Sequence, residues 1–178
     1  MLATISACGK YRYRLERELG QIGPTVMFLM VNPSTADATQ DDPTIRKCKG
    51  FASKLGGGTL LVGNLFAYRA TDVTELRKTR DPVGPDNDKH LREMLYSADI
   101  VIAAWGSLNK LPEVLRPRWK DVVRLADERV ELTGERRCRS LSCIGVCADK
   151  HPKHPLMVGY DTPVTAWTVP WFPNRDAA

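Results

Sequence analysis

Three uniform apolar stretches and a fourth, less regular one set the rhythm of the chain. Val26 to Val31 (VMFLMV) runs into Asn32-Pro33-Ser34-Thr35, Thr59 to Asn64 (TLLVGN) into Leu65-Phe66-Ala67-Tyr68-Arg69, and Asp99 to Trp105 (DIVIAAW) into Gly106. The fourth lies near Ser140 to Cys147 and empties into Ala148 to Leu156 (ADKHPKHPL). Uninterrupted apolar runs bounded by turn residues suit strands buried on both faces of a parallel sheet. In such sheets the loops leaving the carboxyl ends of the strands are where ligands bind.

The segments between these runs follow helical spacing. Asp42 stands as an N-cap before Pro43, and Ile45, Cys48, Phe51, Ala52 and Leu55 share one face until Gly56 to Gly58 stop the helix. A short helix is expected over Thr71 to Thr79, capped by Thr71 or Asp72. A second follows a Pro82-Gly84-Pro85 linker and spans Asp86 to Ser97, with Leu91, Met94 and Leu95 apolar. Pro112 to Leu132 reads as a charged helix, and Thr133 to Arg139 as a connector. Val158 to Pro173 reads as an irregular cover in which Trp167 and Trp171 pack. Alternating strands and helices imply right-handed crossovers. The expected fold is a single α/β domain over residues 1–178, with three α/β/α layers around a central four-stranded parallel sheet.

Ahead of the first strand, Lys10 to Arg17 (KYRYRLER) interleaves aromatic and basic residues. It reads either as an edge where bases stack and phosphates are held, or as a lead-in whose tyrosines pack while its arginines face water.

Composition changes this picture little. The 178 residues are 43% hydrophobic and 26% charged, as in an ordinary soluble domain. No stretch approaches the roughly 18 apolar residues that span a bilayer. The opening MLATISACGKYRYR also lacks an apolar signal core followed by a cleavage site. A cytoplasmic, monomeric protein without membrane contact is expected. Five cysteines (Cys8, Cys48, Cys138, Cys143, Cys147) form an odd set without paired spacing, which favours reduced thiols. The spacing of Cys138, Cys143 and Cys147 is not a standard zinc pattern, so neither a metal nor another cofactor is expected. A net charge of +5 permits a polyanionic partner.

The chemistry concentrates at the strand ends, which bring Asn32, Asn64, Trp105-Gly106 and the pair His151 and His154 toward one side. Taken singly, an Asn before Pro is usually a turn former and a loop histidine is usually solvated. His90, in a charged helix, is an ordinary surface histidine by the same reasoning. Together, the strand-end groups suggest a site.

These motifs, in this order, resemble the uracil-DNA glycosylase superfamily. Val31-Asn32-Pro33 looks like the water-activating motif of the mismatch-specific branch, although its glycine-rich turn is Ser34-Thr35-Ala36 here. Leu60 to Asn64 is similar to the strand whose terminal Asn reads the base edge, and Val101 to Gly106 to the strand ending in Trp-Gly. His154-Pro155-Leu156, or alternatively His151-Pro152, resembles the loop that touches the base and carries the wedge, here Leu156. From Tyr11 to Leu156 the chain also looks like a family of bacterial and phage proteins of similar length. That family's pattern includes Asn-Pro-Ser-Thr-Ala-Asp, Asp-Pro-Thr, Asn-Leu-Phe-Ala-Tyr-Arg-Ala-Thr-Asp, Trp-Gly and His-Pro-Leu.

The resemblance implies a uracil-DNA glycosylase-like fold and a monofunctional DNA N-glycosylase, with water as nucleophile and a flipped-out damaged or modified pyrimidine as substrate. A phage-type hypermodified base is as plausible as uracil. Asn32 would position the water and His154 would donate to the leaving base. Asn64, Pro33, Phe66 and Tyr68 would surround that base. Ser34, Thr35, Arg46, Arg69, Arg12 and Arg14 would hold DNA phosphates, while Asp37 would at most assist the water. Two other classes fit the same residues: a non-catalytic nucleic-acid-binding module, and an N-glycosidase acting on free nucleosides or nucleotides.

Overall fold

The computed structural model describes residues 2–34, 40–133 and 141–168, the side chains of 128–133 excepted. Thr35, Asp37, Cys138 and Trp171 lie outside these residues. In chain order the elements are β1 (Leu2–Ile5), β2 (Arg12–Glu18), β3 (Thr25–Met30), α1 (Pro43–Lys54) and β4 (Thr59–Asn64), followed by α2 (Asn87–Ser97), β5 (Ile100–Ala103), α3 (Arg118–Thr133), β6 (Ser142–Cys143) and β7 (Thr165–Ala166). Short 3-10 turns cover Val73–Lys78, Glu113–Leu115 and Pro155–Met157.

The sheet has seven strands in the order β1-β2-β4-β3-β5-β6-β7. Its middle is parallel, β3 pairing with β4 and β5, and β5 with β6. Antiparallel strands extend it at both sides, so it is wider than the expected four strands. Alternate residues of β3 serve opposite faces: Val26, Phe28 and Met30 pack with Ile45, Cys48 and Phe51 of α1, whereas Met27 and Leu29 join Leu91 and Met94 of α2 and Val122 of α3. Every one of these side chains is buried, which explains why β3 reads as a continuous apolar run.

The α1 cap forms as the sequence implies, with Asp42 accepting from the Ile45 amide at 2.8 Å and Pro43 opening the helix. Asp72 caps the turn over Val73–Lys78 through the Thr74 amide at 2.9 Å. The long helix expected from Pro112 is divided into a 3-10 turn and α3, since Pro117 has no amide proton to continue a ladder. The fourth strand shrinks to Ser142–Cys143. Trp167 does act as a cover, edge-on to Trp105 and Trp119 with centroids 5.1 and 5.9 Å away.

The departure with most effect on the site is β2. Lys10 to Arg17 is not an open edge, because β2 is an interior strand between β1 and β4; its tyrosines pack, as in the lead-in reading, but Arg12 and Arg17 are buried instead of facing water. Tyr13 is buried, stacked on Tyr11 and on His90 with centroids 6.1 and 5.0 Å apart. His90 is thereby packed rather than solvated. The register shifts from Thr4↔Arg14 to Ile5↔Arg12, making Tyr13 the extra residue of a bulge. Arg12 and Leu15, three apart, would otherwise face opposite sides; the bulge turns Arg12 to the α1 side, where it is 2% exposed.

Arg17 is fully buried at 0% exposure and donates to Asp41 Oδ1 at 2.7 Å. Lys49 reaches the other carboxylate oxygen at 2.9 Å. Burial works against the charged Asp41, but the hydrogen bonds from Lys49 and Arg17 outweigh it and hold the carboxyl below its ordinary 3.8. Asp41→Asn is expected to lower the unfolding free energy by about 3 kcal/mol, since a buried guanidinium loses its counter-charge. Lys49→Met should cost less than about 1 kcal/mol. The Asp41 contribution is present above its unfolded value and fades as pH falls through the depressed folded one, so Asp41→Asn should also shrink the acid limb of stability in urea titrations.

Candidate functional site

The crossover from β3 to β4 runs over one face through α1, and that from β4 to β5 over the other through α2. Both strands end at the carboxyl edge of the parallel sheet, the side on which α/β proteins bind ligands. A cleft of about 510 Å³ lies there, walled by residues that include Arg12, Asn32, Asp42, Asn64, Lys110 and His154.

Backbone hydrogen bonds lace the two loops beneath it. Leu65 N donates to Met30 O at 2.9 Å, Phe66 N to Val31 O at 3.0 Å and Ala70 N to Pro33 O at 3.0 Å. Asn32 then spends its amide nitrogen on this scaffold, Nδ2 donating to Ala70 O at 2.7 Å and Pro33 O at 3.1 Å. Both bonds orient the side chain, which leaves Oδ1 as the atom offered to a ligand. Asn64, the last residue of β4, is 2% exposed, and its Nδ2 has no acceptor among the described residues. Such an orphaned donor costs about 1–3 kcal/mol, and here it lies in the wall of a cleft.

His154 lines the cleft beside Gly106, where the backbone takes a conformation that favours glycine. Gly106 has φ +80, donates its amide to Pro152 O at 2.9 Å, and would bring an added Cβ within 3.4 Å of His154 Cβ. The His154 Nδ1 accepts from the Leu156 amide at 3.3 Å, which places the ring proton on Nε2. Burial pushes its pKa below the ordinary 6.5, with the Asp42 charge opposing the shift. A neutral ring with one outward donor results.

Other expected site residues are not brought together here. His151 accepts from Trp105 Nε1 at 3.4 Å, lies edge-on to Trp119, and opens onto a separate hollow of about 270 Å³ beside α3. His154, not His151, shares the cleft with Asn32 and Asn64. Phe66 is 0% exposed, because the chain turns after Asn64 and sends Leu65 and Phe66 into the core under α2 and α3. Tyr68 bridges to Tyr11 and packs edge-on to its ring. Neither aromatic lines the cleft, so no stacking platform forms from them. Pro33 is likewise buried, its carbonyl serving Ala70 and Asn32.

The expected phosphate set disperses as well. Arg14 pairs with Glu16, Arg46 donates to Asp41 O and Arg69 to Gly9 O, and none of the three lines the cleft. Arg12 and Ser34 do. Leu156 is 47% exposed at the cleft, with Met157 at 76% beside it.

A family model described as protein of unknown function (DUF1643) matches residues 12–156. The chain belongs to the DUF1643 family. Neither the curated proteins nor the solved structures gave a match. The DUF1643 match begins at Arg12 and ends at Leu156, and so takes in every residue of the cleft wall.

Lining groups of this DUF1643 chain that the sequence reading did not count as site residues include Lys110, Thr71 and Asp72, the last two read only as caps. Each follows a strand end by several residues, so a wider search of those loops would have reached them. No helix among the described residues is long and apolar enough to cross a membrane, and no cluster of metal-ligating side chains occurs among them.

For His151 and His154 alike, burial depresses the pKa below 6.5, so the unfolded chain takes up protons before the folded one does. Stability should accordingly fall as pH drops below about 6.5. His154→Asn retains an acceptor for the Leu156 amide and lacks a titrating ring. Urea denaturation at about pH 5.5 and about pH 7.5 should show a smaller difference for the variant than for the wild type.

Proposed function

We propose that the cleft holds a pyrimidine flipped out of DNA and that the protein hydrolyses its N-glycosidic bond, as the resemblance to uracil-DNA glycosylases implies. The observation carrying this reading is the Asn64 amide, buried at 2% exposure with an unused donor, in the same cleft as Asn32 Oδ1 and His154. A carboxamide of this kind matches the adjacent donor and acceptor of a pyrimidine edge. The cleft volume of about 510 Å³ falls within the roughly 300–1,000 Å³ of small-ligand sites.

Cleavage develops positive charge on the sugar and negative charge on the base. Asn32 Oδ1 holds a water, and Nε2–H of neutral His154 meets the growing charge on a base oxygen as an oxyanion-hole donor. Asn64 fixes the base edge. A duplex hides the glycosidic carbon, so the nucleotide must be extruded, at an energetic cost that is lowest for damaged or mispaired bases.

A second reading has one observation in its favour. Arg14, Arg46 and Arg69 do not converge on the cleft, which suits a free nucleoside or nucleotide as well as a DNA strand.

The test is to incubate the protein with uracil-containing and phage-modified DNAs and to detect released bases by mass spectrometry. Asn64→Asp, which removes the donor, and His154→Asn are each expected to slow release by ~10²–10³-fold. Competition by mononucleotide at concentrations comparable to the DNA would shift the substrate to the free form. If neither DNA nor nucleosides yield a base, and Asn32→Ala binds DNA like the wild type, the reading fails.

A further inference from the structure

We propose that Asp42 is a catalytic residue, the base that takes the proton of the attacking water. This rests on N-glycosidic hydrolysis in the cleft and supplies what Asn32 cannot. An amide orients a water but accepts no proton from it, and the water must lose one for the sugar to carry a neutral hydroxyl.

The capping role of Asp42 uses half of its carboxylate. Oδ1 accepts from Ile45 N at 2.8 Å, while Oδ2 makes no hydrogen bond among the described residues. The same side chain lines the cleft with Asn32 and His154, and lies close enough to His154 for its charge to act on that ring. Serine, threonine or asparagine would cap α1 as well. Only aspartate adds a charge, and here it sits in the cleft on a rigid helix start whose first residue is Pro43.

Asp72 is the other carboxylate of the wall, but it is exposed to solvent. Its Oδ1 is also engaged, by the Thr74 amide. Asp42 is partly buried and shares the cleft wall with the histidine instead.

The step balances as follows. Asp42 Oδ2 takes a proton from the water held at Asn32 Oδ1 as the water oxygen bonds to the sugar C1′. The C1′–N bond breaks, and its electron pair leaves with the base as an anion, met by the N–H groups of Asn64 and His154. The proton then passes from Asp42 to the departed base or to solvent, which restores the carboxylate. Neither an oxidant nor a metal enters the balance.

Asp42→Asn and Asp42→Ser retain a cap acceptor and remove the charge. Both are expected to unfold at the wild-type temperature, to bind substrate DNA with wild-type Kd, and to release base at least ~10²-fold more slowly. Release at the wild-type rate by either variant, while Asn32→Ala stays inactive, would reduce Asp42 to a cap and leave the glycosidase reading standing. Loss of DNA binding in both variants would overturn the catalytic role in favour of a binding one. No release by the wild type from any DNA or nucleoside would remove both readings together.

Discussion

Everything at the site depends on the lacing of two backbone segments that leave the sheet side by side. Met30, Val31 and Pro33 offer their carbonyls to the amides of Leu65, Phe66 and Ala70, so the loops after β3 and β4 continue each other's ladder beyond the strands. Asn32 locks the arrangement by donating to Ala70 O. Backbone polar groups in a half-buried loop need partners, and mutual pairing satisfies them without water. The outcome is a rigid floor that sets Asn32 and Asn64 in the wall of one cleft.

Polar groups under the cleft are placed at some energetic cost. Asn87, buried at 0% exposure, donates to the carbonyls of Asn64 and Leu65 at 3.1 and 3.2 Å, and Arg118 Nε adds a third donor at Leu65 O. These bonds hold the end of β4 while its terminal side chain keeps an unused donor. Arg17 plays a comparable part at the other wall, its ion pair with Asp41 fixing the chain one residue before the α1 cap. Sites that bind polar ligands commonly leave such groups unsatisfied until the ligand arrives, because preformed donors need no reorganisation when charge develops.

Much of the architecture was legible because it rests on local chemistry. The strands β3 and β4, the helix α1 with its Asp42-Pro43 start, and the loops that carry Asn32, Asn64 and His154 follow from apolar runs and cap residues. The hairpin of β1 and β2 was not legible. Arg12, Arg14, Glu16 and Glu18 disguise β2, whose polar residues are tolerated because Arg17 finds Asp41 across space and Arg14 pairs with Glu16 two residues along the same strand. The aromatic partners were misjudged for a related reason, since Phe66 follows Asn64 closely yet a turn sends it into the opposite layer.

Local pattern in the chain was enough for β3, β4 and β5, for the helices α1 and α2, and for the polar residues that stand at the carboxyl ends of β3 and β4. Side-chain periodicity and capping act over a few residues, and those distances are written in the chain. Long-range packing settled that His154 rather than His151 joins the asparagines, and that a bulge at Tyr13 turns Arg12 into the cleft. It also gave Asp42 a place in the cleft wall besides its place in a cap. These outcomes depend on the register between strands far apart in sequence and on how loops pack across the sheet, which no local pattern encodes.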